Sequence, residues 1–135
     1  MTKIAEDIPV KVKDVIVGSV YLQGDETIAG SFRLFCLYQE KPFYGEGIDY
    51  FEALQNLRKR LERKDIELLC LGARKDVWPS AMSRDMGKGV KAYVCQIGKP
   101  SNDLVDIFEV DEHMEYSSVE EQVEYHKKWF ESLGT

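Results

Sequence analysis

The sequence predicts one α+β domain over residues 1–135, with a mixed or antiparallel sheet of about five strands, two amphipathic helices and one short helix. Three observations lead to this fold class. Apolar runs of strand length alternate with turn residues, two segments place apolar side chains at helical spacing behind a capping residue, and no linker interrupts the chain. With 135 residues, of which 44% are hydrophobic, the chain can fill one core but not two.

Two strands are predicted in the first third of the chain. The β-branched and aromatic run over residues 12–22 ends at a Gln-Gly-Asp turn, which is typical of a strand. Residues 28–38 resume the apolar pattern on both faces, which favours a central strand, and Lys41-Pro42 is expected to end it.

The clearest helix is predicted from about residue 49 to 63. Asp49 is placed to cap its N-terminus, with Glu52 three residues later. Cations crowd its C-terminal half, Arg58 among them, where the helix dipole favours positive charge. Its apolar face is expected to hold Tyr50, Leu54, Leu57 and Leu61.

The second half of the chain predicts a strand over 66–71, a two-turn helix after Trp78, two further strands over 90–97 and 104–110, and a final helix. Pro79 suits the first position of the short helix and Gly87 suits its end. A capping box of Ser118 and Glu121 begins the final helix. Its apolar face is expected to hold Val119, Val123, His126, Phe130 and Leu133.

The cysteines and the hydropathy pattern indicate a reducing compartment. Cys36, Cys70 and Cys95 are odd in number and lie in separate apolar runs, which predicts buried reduced thiols and no disulfide framework. The first residues lack the apolar segment of a signal peptide, and no apolar run approaches the roughly 18 residues of a membrane span. We therefore expect a cytoplasmic protein that does not bind membranes.

The charge of −6 is unevenly distributed. Residues 101–135 hold two Lys or Arg and ten Asp or Glu, a net −8, whereas residues 41–100 hold twelve and eight, a net +4. An acidic surface repels phosphate backbones and attracts basic proteins, which predicts a protein partner and no nucleic acid. The alternative is a solvated acidic helix that only keeps the protein soluble.

The residues suggest no catalytic site, cofactor site or metal site. Gly45 and Gly47 precede a helix, but Glu46 and Asp49 stand in the same loop and would oppose a bound phosphate. The two histidines, His113 and His126, are far apart in sequence, and the cysteines are isolated. The expectation is a non-enzymatic protein.

The segment 72–89 has a composition typical of interfaces, with arginines, a tryptophan and two methionines. Arg74, Trp78 and Arg84 are therefore candidates for partner contacts. The alternative is that Trp78 and the methionines fill the core. The cations of the segment, Arg74, Lys75, Arg84 and Lys88, are expected to be exposed.

Several segments resemble a group of small acidic bacterial proteins of unassigned chemistry: residues 44–54 (YGEGIDYFEAL), 78–82 (WPSAM), 86–89 (MGKG), 92–93 (AY), 105–108 (VDIF) and 121–129. The protein is also similar in size and acidity to immunity proteins encoded beside secreted toxins. The resemblance implies an immunity partner that neutralises a basic toxin domain by covering its active site, and we expect the protein itself to be a monomer or weak homodimer. No contact residue is transferred from the resemblance.

The acidic segment supplies the remaining candidate partner contacts. These residues are Asp106, Glu109, Asp111, Glu112, Glu115, Glu120 and Glu124. The alternative function is a small ligand-binding domain or enzyme that holds an anionic metabolite through the 72–89 segment. That alternative predicts a pocket lined by Arg74, Trp78, Arg84 and Tyr93.

Overall fold

Four consecutive antiparallel strands begin the chain in the computed structural model, which describes residues 3–101 and 103–134. A fifth short strand lies beside the first, which gives the order β4-β3-β2-β1-β5 with all neighbours antiparallel. The strands are β1 (Ile4–Val12), β2 (Val15–Glu26), β3 (Phe32–Tyr38), β4 (Lys41–Gly47) and β5 (Ile66–Leu68). The predicted α+β class is confirmed, and this sheet is antiparallel.

Two of these strands were not predicted. β1 is absent from the expected order, and the segment that begins at Lys41-Pro42 is itself β4 rather than the end of a strand. Pro42 is compatible with β4 because this strand forms an edge of the sheet. The β1–β2 and β3–β4 hairpins each turn through two residues with positive φ, Lys13-Asp14 and Gln39-Glu40, and neither pair contains the glycine that usually marks such turns.

Helix α1 (Tyr50–Glu62) covers one face of this sheet and confirms the predicted helix. Asp49 caps it by accepting a hydrogen bond from the Glu52 amide at 2.8 Å. A Cβ atom on Gly45 would come within 2.3 Å of the Ala53 carbonyl oxygen, so this glycine allows close packing of α1 on β4. Seven of the thirteen helical residues are buried: Tyr50, Phe51, Ala53, Leu54, Leu57, Arg58 and Leu61.

A second sheet of three strands in the order β6-β7-β8 follows a 3-10 turn at Leu71–Ala73. Its strands are β6 (Val77–Trp78), β7 (Lys91–Val94) and β8 (Asp103–Asp106), and α2 (Ala81–Met86) lies between β6 and β7. Ser80 caps α2 and Gly87 ends it. Pro79 therefore lies before the cap, and its prediction as the first helical residue is wrong.

Helix α3 (Val119–Ser132) begins with the predicted capping box of Ser118 and Glu121. Its predicted apolar face is correct for the buried Val119 and the half-buried Val123 and His126, and wrong for Phe130 and Leu133. Val119 and Gln122 are the buried residues, whereas Phe130 is 69% exposed and Leu133 is also exposed. The helix turns Gln122 inward because the amide satisfies buried carbonyl groups that an apolar side chain could not.

All three cysteines are buried and free, as predicted. Burial raises the pKa of Cys36 to about 11 and that of Cys70 to about 12, so both remain protonated thiols at neutral pH. Within residues 3–101 and 103–134, no helix has the length and apolar character needed to cross a membrane.

Candidate functional site

Two surface grooves are the candidate sites, and we name them by their chemistry. The acidic groove lies where the β1–β2 turn, the end of α1, β5 and the start of α3 meet, with a cavity volume of about 340 Å³. It is lined by Lys13, Asp14, Glu62, Asp65, Glu67, Tyr116, Ser118 and Glu121. Five carboxylates thus surround one space together with a single lysine, although they come from distant parts of the sequence.

Local structure positions several of the residues that line the acidic groove. Asp14 and Asp65 have positive φ angles of 68° and 59°, which aspartate tolerates better than most residues. Glu62 accepts hydrogen bonds from the Tyr116 hydroxyl and, at 3.0 Å, from the Val119 amide. The carboxylate of Glu62 therefore joins the end of α1 to the start of α3.

The acidic groove has little internal charge compensation. Burial raises the pKa of Glu67; Lys11 lowers it in part, and the carboxylates of Asp14, Glu62 and Asp65 raise it by smaller amounts. Hydrogen bonds from Ser118 hold the pKa of Glu121 below its usual range. Of the five groove carboxylates, only Glu62 forms an ion pair among the described residues, and its partner Arg58 lies 3.9 Å away. The remaining negative charge favours a cationic group from outside.

The predicted acidic residues do not form the wall of this groove. Asp106 is half-buried, lies 3.7 Å from Lys91 and accepts the Phe108 amide at 2.8 Å, which are structural contacts. Asp111 accepts the His113 amide at 2.9 Å. The other predicted acidic residues are exposed around the molecule: Glu109, Glu112, Glu115, Glu120 and Glu124.

Sequence reasoning missed four groove carboxylates, Asp14, Glu62, Asp65 and Glu67. A partial signal was present, because Glu62, Asp65 and Glu67 lie close together at the predicted end of α1. Asp14 carried no such signal, since only the pairing of β1 with both β2 and β5 brings its turn to this position.

A buried polar centre lies behind the acidic groove. Arg58, one of the cations that the sequence places in the C-terminal half of α1, is fully buried. Its guanidinium donates to the Gly72 carbonyl at 3.2 Å, to Gln122 Oε1 at 2.7 Å and to the Ser117 carbonyl. It also lies over the ring of Tyr116. These contacts join α1, α3 and the 3-10 turn, and they support the geometry of the groove.

The aromatic groove lies beside the C-terminal half of α3, between α2, α3 and the three-stranded sheet. Its cavity volume is about 360 Å³. It is lined by Trp78, Pro79, Ser80, Ala81, Arg84, Tyr93, Cys95, Ser101, His126, Trp129 and Phe130. Most of these side chains are apolar or aromatic, so this groove suits an apolar group better than an ion.

Trp78 belongs to both the core and the groove. Its ring lies 5.0 Å from that of Phe51 and stacks in parallel on His126 at 4.2 Å, while it pairs across the sheet with Tyr93. Met82 and Met86, in contrast, are 70% and 80% exposed. The alternative in which Trp78 and the methionines fill the core is therefore correct for Trp78, which packs against the core, and wrong for Met82 and Met86.

Three of the four cations expected to be exposed are half-buried and neutralised. Arg74 pairs with Asp76 at 2.6 Å, and Arg84 pairs with the buried Asp49 at 2.7 Å. Lys88 is 3.6 Å from a carboxylate oxygen of Glu26. Only Lys75 of the four is exposed, and its ammonium lies 5.6 Å from the centre of the Tyr125 ring.

The pocket predicted for an anionic metabolite is only partly formed. Trp78, Arg84 and Tyr93 line the aromatic groove, but Arg74 lies in a separate cavity with Asp111 and other polar residues. Across residues 3–101 and 103–134, no set of three or more His, Cys, Asp and Glu side chains has an arrangement that could hold a metal ion.

The chain was compared with known proteins. No model of a known protein family matches it, and no curated protein matches it significantly.

Proposed function

We propose that this protein binds a basic protein partner through its acidic groove, and that it acts as an immunity protein that neutralises a toxin by covering the toxin's active site. The observation that carries the proposal is the convergence of five carboxylates around one surface groove with a single lysine. A basic loop or side chain of a partner would find there several acceptors and little competing positive charge.

The charge of the whole molecule supports this type of partner. At −6, the protein attracts a basic surface from a distance, and the acidic groove adds a local site where that surface docks. A toxin that cleaves nucleic acid needs a basic cleft to hold phosphates. Covering such a cleft with carboxylates blocks the substrate by occupying the same charges.

The alternative function, binding of an anionic metabolite through residues 72–89, has weaker support. Such a site needs cations free to meet the ligand. Arg74, Arg84 and Lys88 already pair with Asp76, Asp49 and Glu26.

Co-expression tests the proposal. The protein is produced together with the product of the reading frame next to its gene, and cell survival and complex formation are measured. We expect the neighbouring product to be toxic alone, and to be rescued and bound by this protein. A harmless neighbour, or toxicity that this protein does not relieve, contradicts the immunity function.

A charge variant tests whether the acidic groove is the contact surface. Asp14→Asn, Asp65→Asn and Glu67→Gln together change the charge from −6 to −3, and asparagine tolerates the positive φ of both aspartates. We expect this variant to associate with the toxin partner roughly tenfold more slowly than the wild-type protein at low salt, and its association rate should depend less on salt. The matched control is Glu6→Gln, Asp7→Asn and Glu131→Gln, three exposed carboxylates outside the groove, with the same net charge. An equal effect of both variants would show that only the total charge matters.

A further inference from the structure

The anchoring of α3 differs between its two halves. The first half carries the capping box, the buried Val119 and the buried Gln122, whose side-chain nitrogen Nε2 donates to the Gly72 carbonyl at 2.9 Å. Beyond Gln122 no residue of α3 is fully buried. The C-terminal half is therefore held by a small number of side-chain contacts.

These contacts reach mostly one loop. The Tyr125 hydroxyl donates to the Cys95 carbonyl at 3.0 Å, and Trp129 Nε1 donates to the Lys99 carbonyl at 2.9 Å. Ser132 Oγ accepts the Gly98 amide at 2.8 Å. The aromatic stack of His126 on Trp78 is the contact that reaches a sheet strand and, through Phe51, the main core.

His126 occupies the centre of this anchor. Its imidazole stacks on Trp78 at 4.2 Å with an interplanar angle of 8°, and on Trp129 at 5.6 Å with 26°. Its Nδ1 atom is buried and has no hydrogen-bond partner among the described residues. A neutral ring can retain this arrangement, but an imidazolium would carry a charged N–H at Nδ1 with no acceptor.

The groups facing His126 do not compensate a positive charge. From α2 comes Arg84, a cation already bonded to Asp49, and from β7 and the residue after it come Tyr93 and Cys95. Burial raises the pKa of Cys95, which keeps this thiol neutral. No described residue lining the aromatic groove is a carboxylate, and the chain neighbours of His126 on α3 include one exposed carboxylate, Glu124, and two exposed cations, Lys127 and Lys128.

We propose that His126 is a protonation-sensitive latch: the neutral ring holds the C-terminal half of α3 against the three-stranded sheet, and protonation releases that half and opens the aromatic groove. Burial, followed by the charge of Arg84, lowers the pKa of His126, in agreement with the geometry. The two indole faces attract a cation and work in the opposite direction. The unpaired Nδ1 and the nearby guanidinium are the stronger effects.

The C-terminal half of α3 should be held at higher pH and released at lower pH. The folded state lowers the pKa of His126, so the neutral ring stabilises the folded protein. This stabilisation is complete above the ordinary histidine pKa of about 6.5 and is lost as the pH falls through the folded pKa. Above about pH 6.5, α3 is held against the three-stranded sheet along its length. Below it, the first half stays anchored by Gln122 while the second half opens.

The chain is well suited to a test, since it has two histidines and two tryptophans, and both tryptophans contact His126. We expect NMR titration to show that His126 protonates below the ordinary histidine value of about 6.5. At the same midpoint, tryptophan emission should shift to the red, and amide exchange in residues 126–132, corrected for its intrinsic pH dependence, should rise roughly tenfold relative to residues 119–122. His126→Gln should abolish the emission shift, and His113→Gln should retain it.

Three results would overturn the latch. One is a pKa of His126 at or above its ordinary value, and another is an emission shift that persists in His126→Gln. The third is a change of fluorescence intensity without a red shift and without faster exchange, because a protonated histidine can quench tryptophan in place. The titration of the wild-type protein decides the question even if His126→Gln does not fold.

Discussion

Helices α1 and α3 have similar lengths and similar caps, yet the protein holds them by different means. α1 buries seven of its thirteen residues against the five-stranded sheet, whereas α3 buries two of its fourteen. The core contacts of α1 are mostly apolar. α3 is fixed at its start by a polar network around Gln122 and at its end by an aromatic stack and three hydrogen bonds.

The difference shows how the protein separates stability from surface chemistry. The core under α1 supplies the apolar burial that dominates folding. α3 lies on the periphery; its first turn borders the acidic groove and its C-terminal half borders the aromatic groove. Substitutions in the two helices should therefore differ in magnitude and in kind.

The largest expected effect is in α1. Leu57 is fully buried, and Leu57→Ala should lower the free energy of unfolding by about 4 kcal/mol, because it removes apolar contacts and leaves a cavity. Urea unfolding measures this loss. The matched variant in α3 is Phe130→Ala, whose exposed ring should cost less than about 0.5 kcal/mol. Similar losses in the two helices would break the comparison.

Gln122 should cause the largest loss in α3, through lost hydrogen bonds rather than lost apolar burial. Gln122→Met keeps the length of the side chain but removes the donor to the carbonyls of Gly72 and Val77 and the acceptor for Arg58. We expect a loss of about 3 kcal/mol, because buried polar groups are left unpaired. Glu120→Met, on the exposed side of α3, is the control and should be nearly neutral. A nearly neutral Gln122→Met would show that the polar network adds little stability.

Asp49 joins the start of α1 to α2, and two substitutions separate its roles. Asp49→Asn keeps the helix cap but removes the charge that pairs with Arg84, and we expect a loss of about 1 kcal/mol. Asp49→Ala also removes the cap and should cost about 1 kcal/mol more. Thermal or urea unfolding of both variants measures the separate contributions of the ion pair and of the helix cap. Equal losses of stability in the two variants would mean that the cap contributes nothing.

The smallest effect is expected at Glu67 in the acidic groove, and it has the opposite sign. Because the folded state raises the pKa of Glu67, its ionised form destabilises the protein as the pH rises through that pKa. Glu67→Gln should therefore raise stability at pH 7 by a few tenths of a kcal/mol. The gain should vanish below about pH 4, where the wild-type carboxyl is protonated in both states. Destabilisation at pH 7 would show that the charge is compensated.

The sequence predicted the elements whose determinants are local. Asp49 and the leucine spacing located α1, and Ser118 with Glu121 located the start of α3. β1 was missed because Glu6, Asp7 and Pro9 interrupt its apolar pattern. β4 was missed because its proline and glycines are typical of loops, although here the glycines allow close packing of α1.

The sites depended on contacts that no local pattern shows. The orientation of α3 is set by buried carbonyl groups on the 72–77 segment, so Gln122 lies inside while Phe130 and Leu133, which periodicity placed there, are exposed. The arginines of the 72–89 segment were expected to be exposed, but their aspartate partners lie two residues away for Arg74 and on another element for Arg84. The acidic groove exists because the sheet order brings the β1–β2 turn to the end of α1.

The role of the acidic groove is tested most directly by NMR titration of the labelled protein with hexalysine as a defined basic probe. We predict that amide shifts concentrate at residues 13–14, 62–67 and 118–121. They should disappear in the variant with Asp14→Asn, Asp65→Asn and Glu67→Gln, and persist in the control with Glu6→Gln, Asp7→Asn and Glu131→Gln. Shifts centred on the exposed carboxylates of residues 103–115, or lost equally in both variants, would contradict a docking site in this groove.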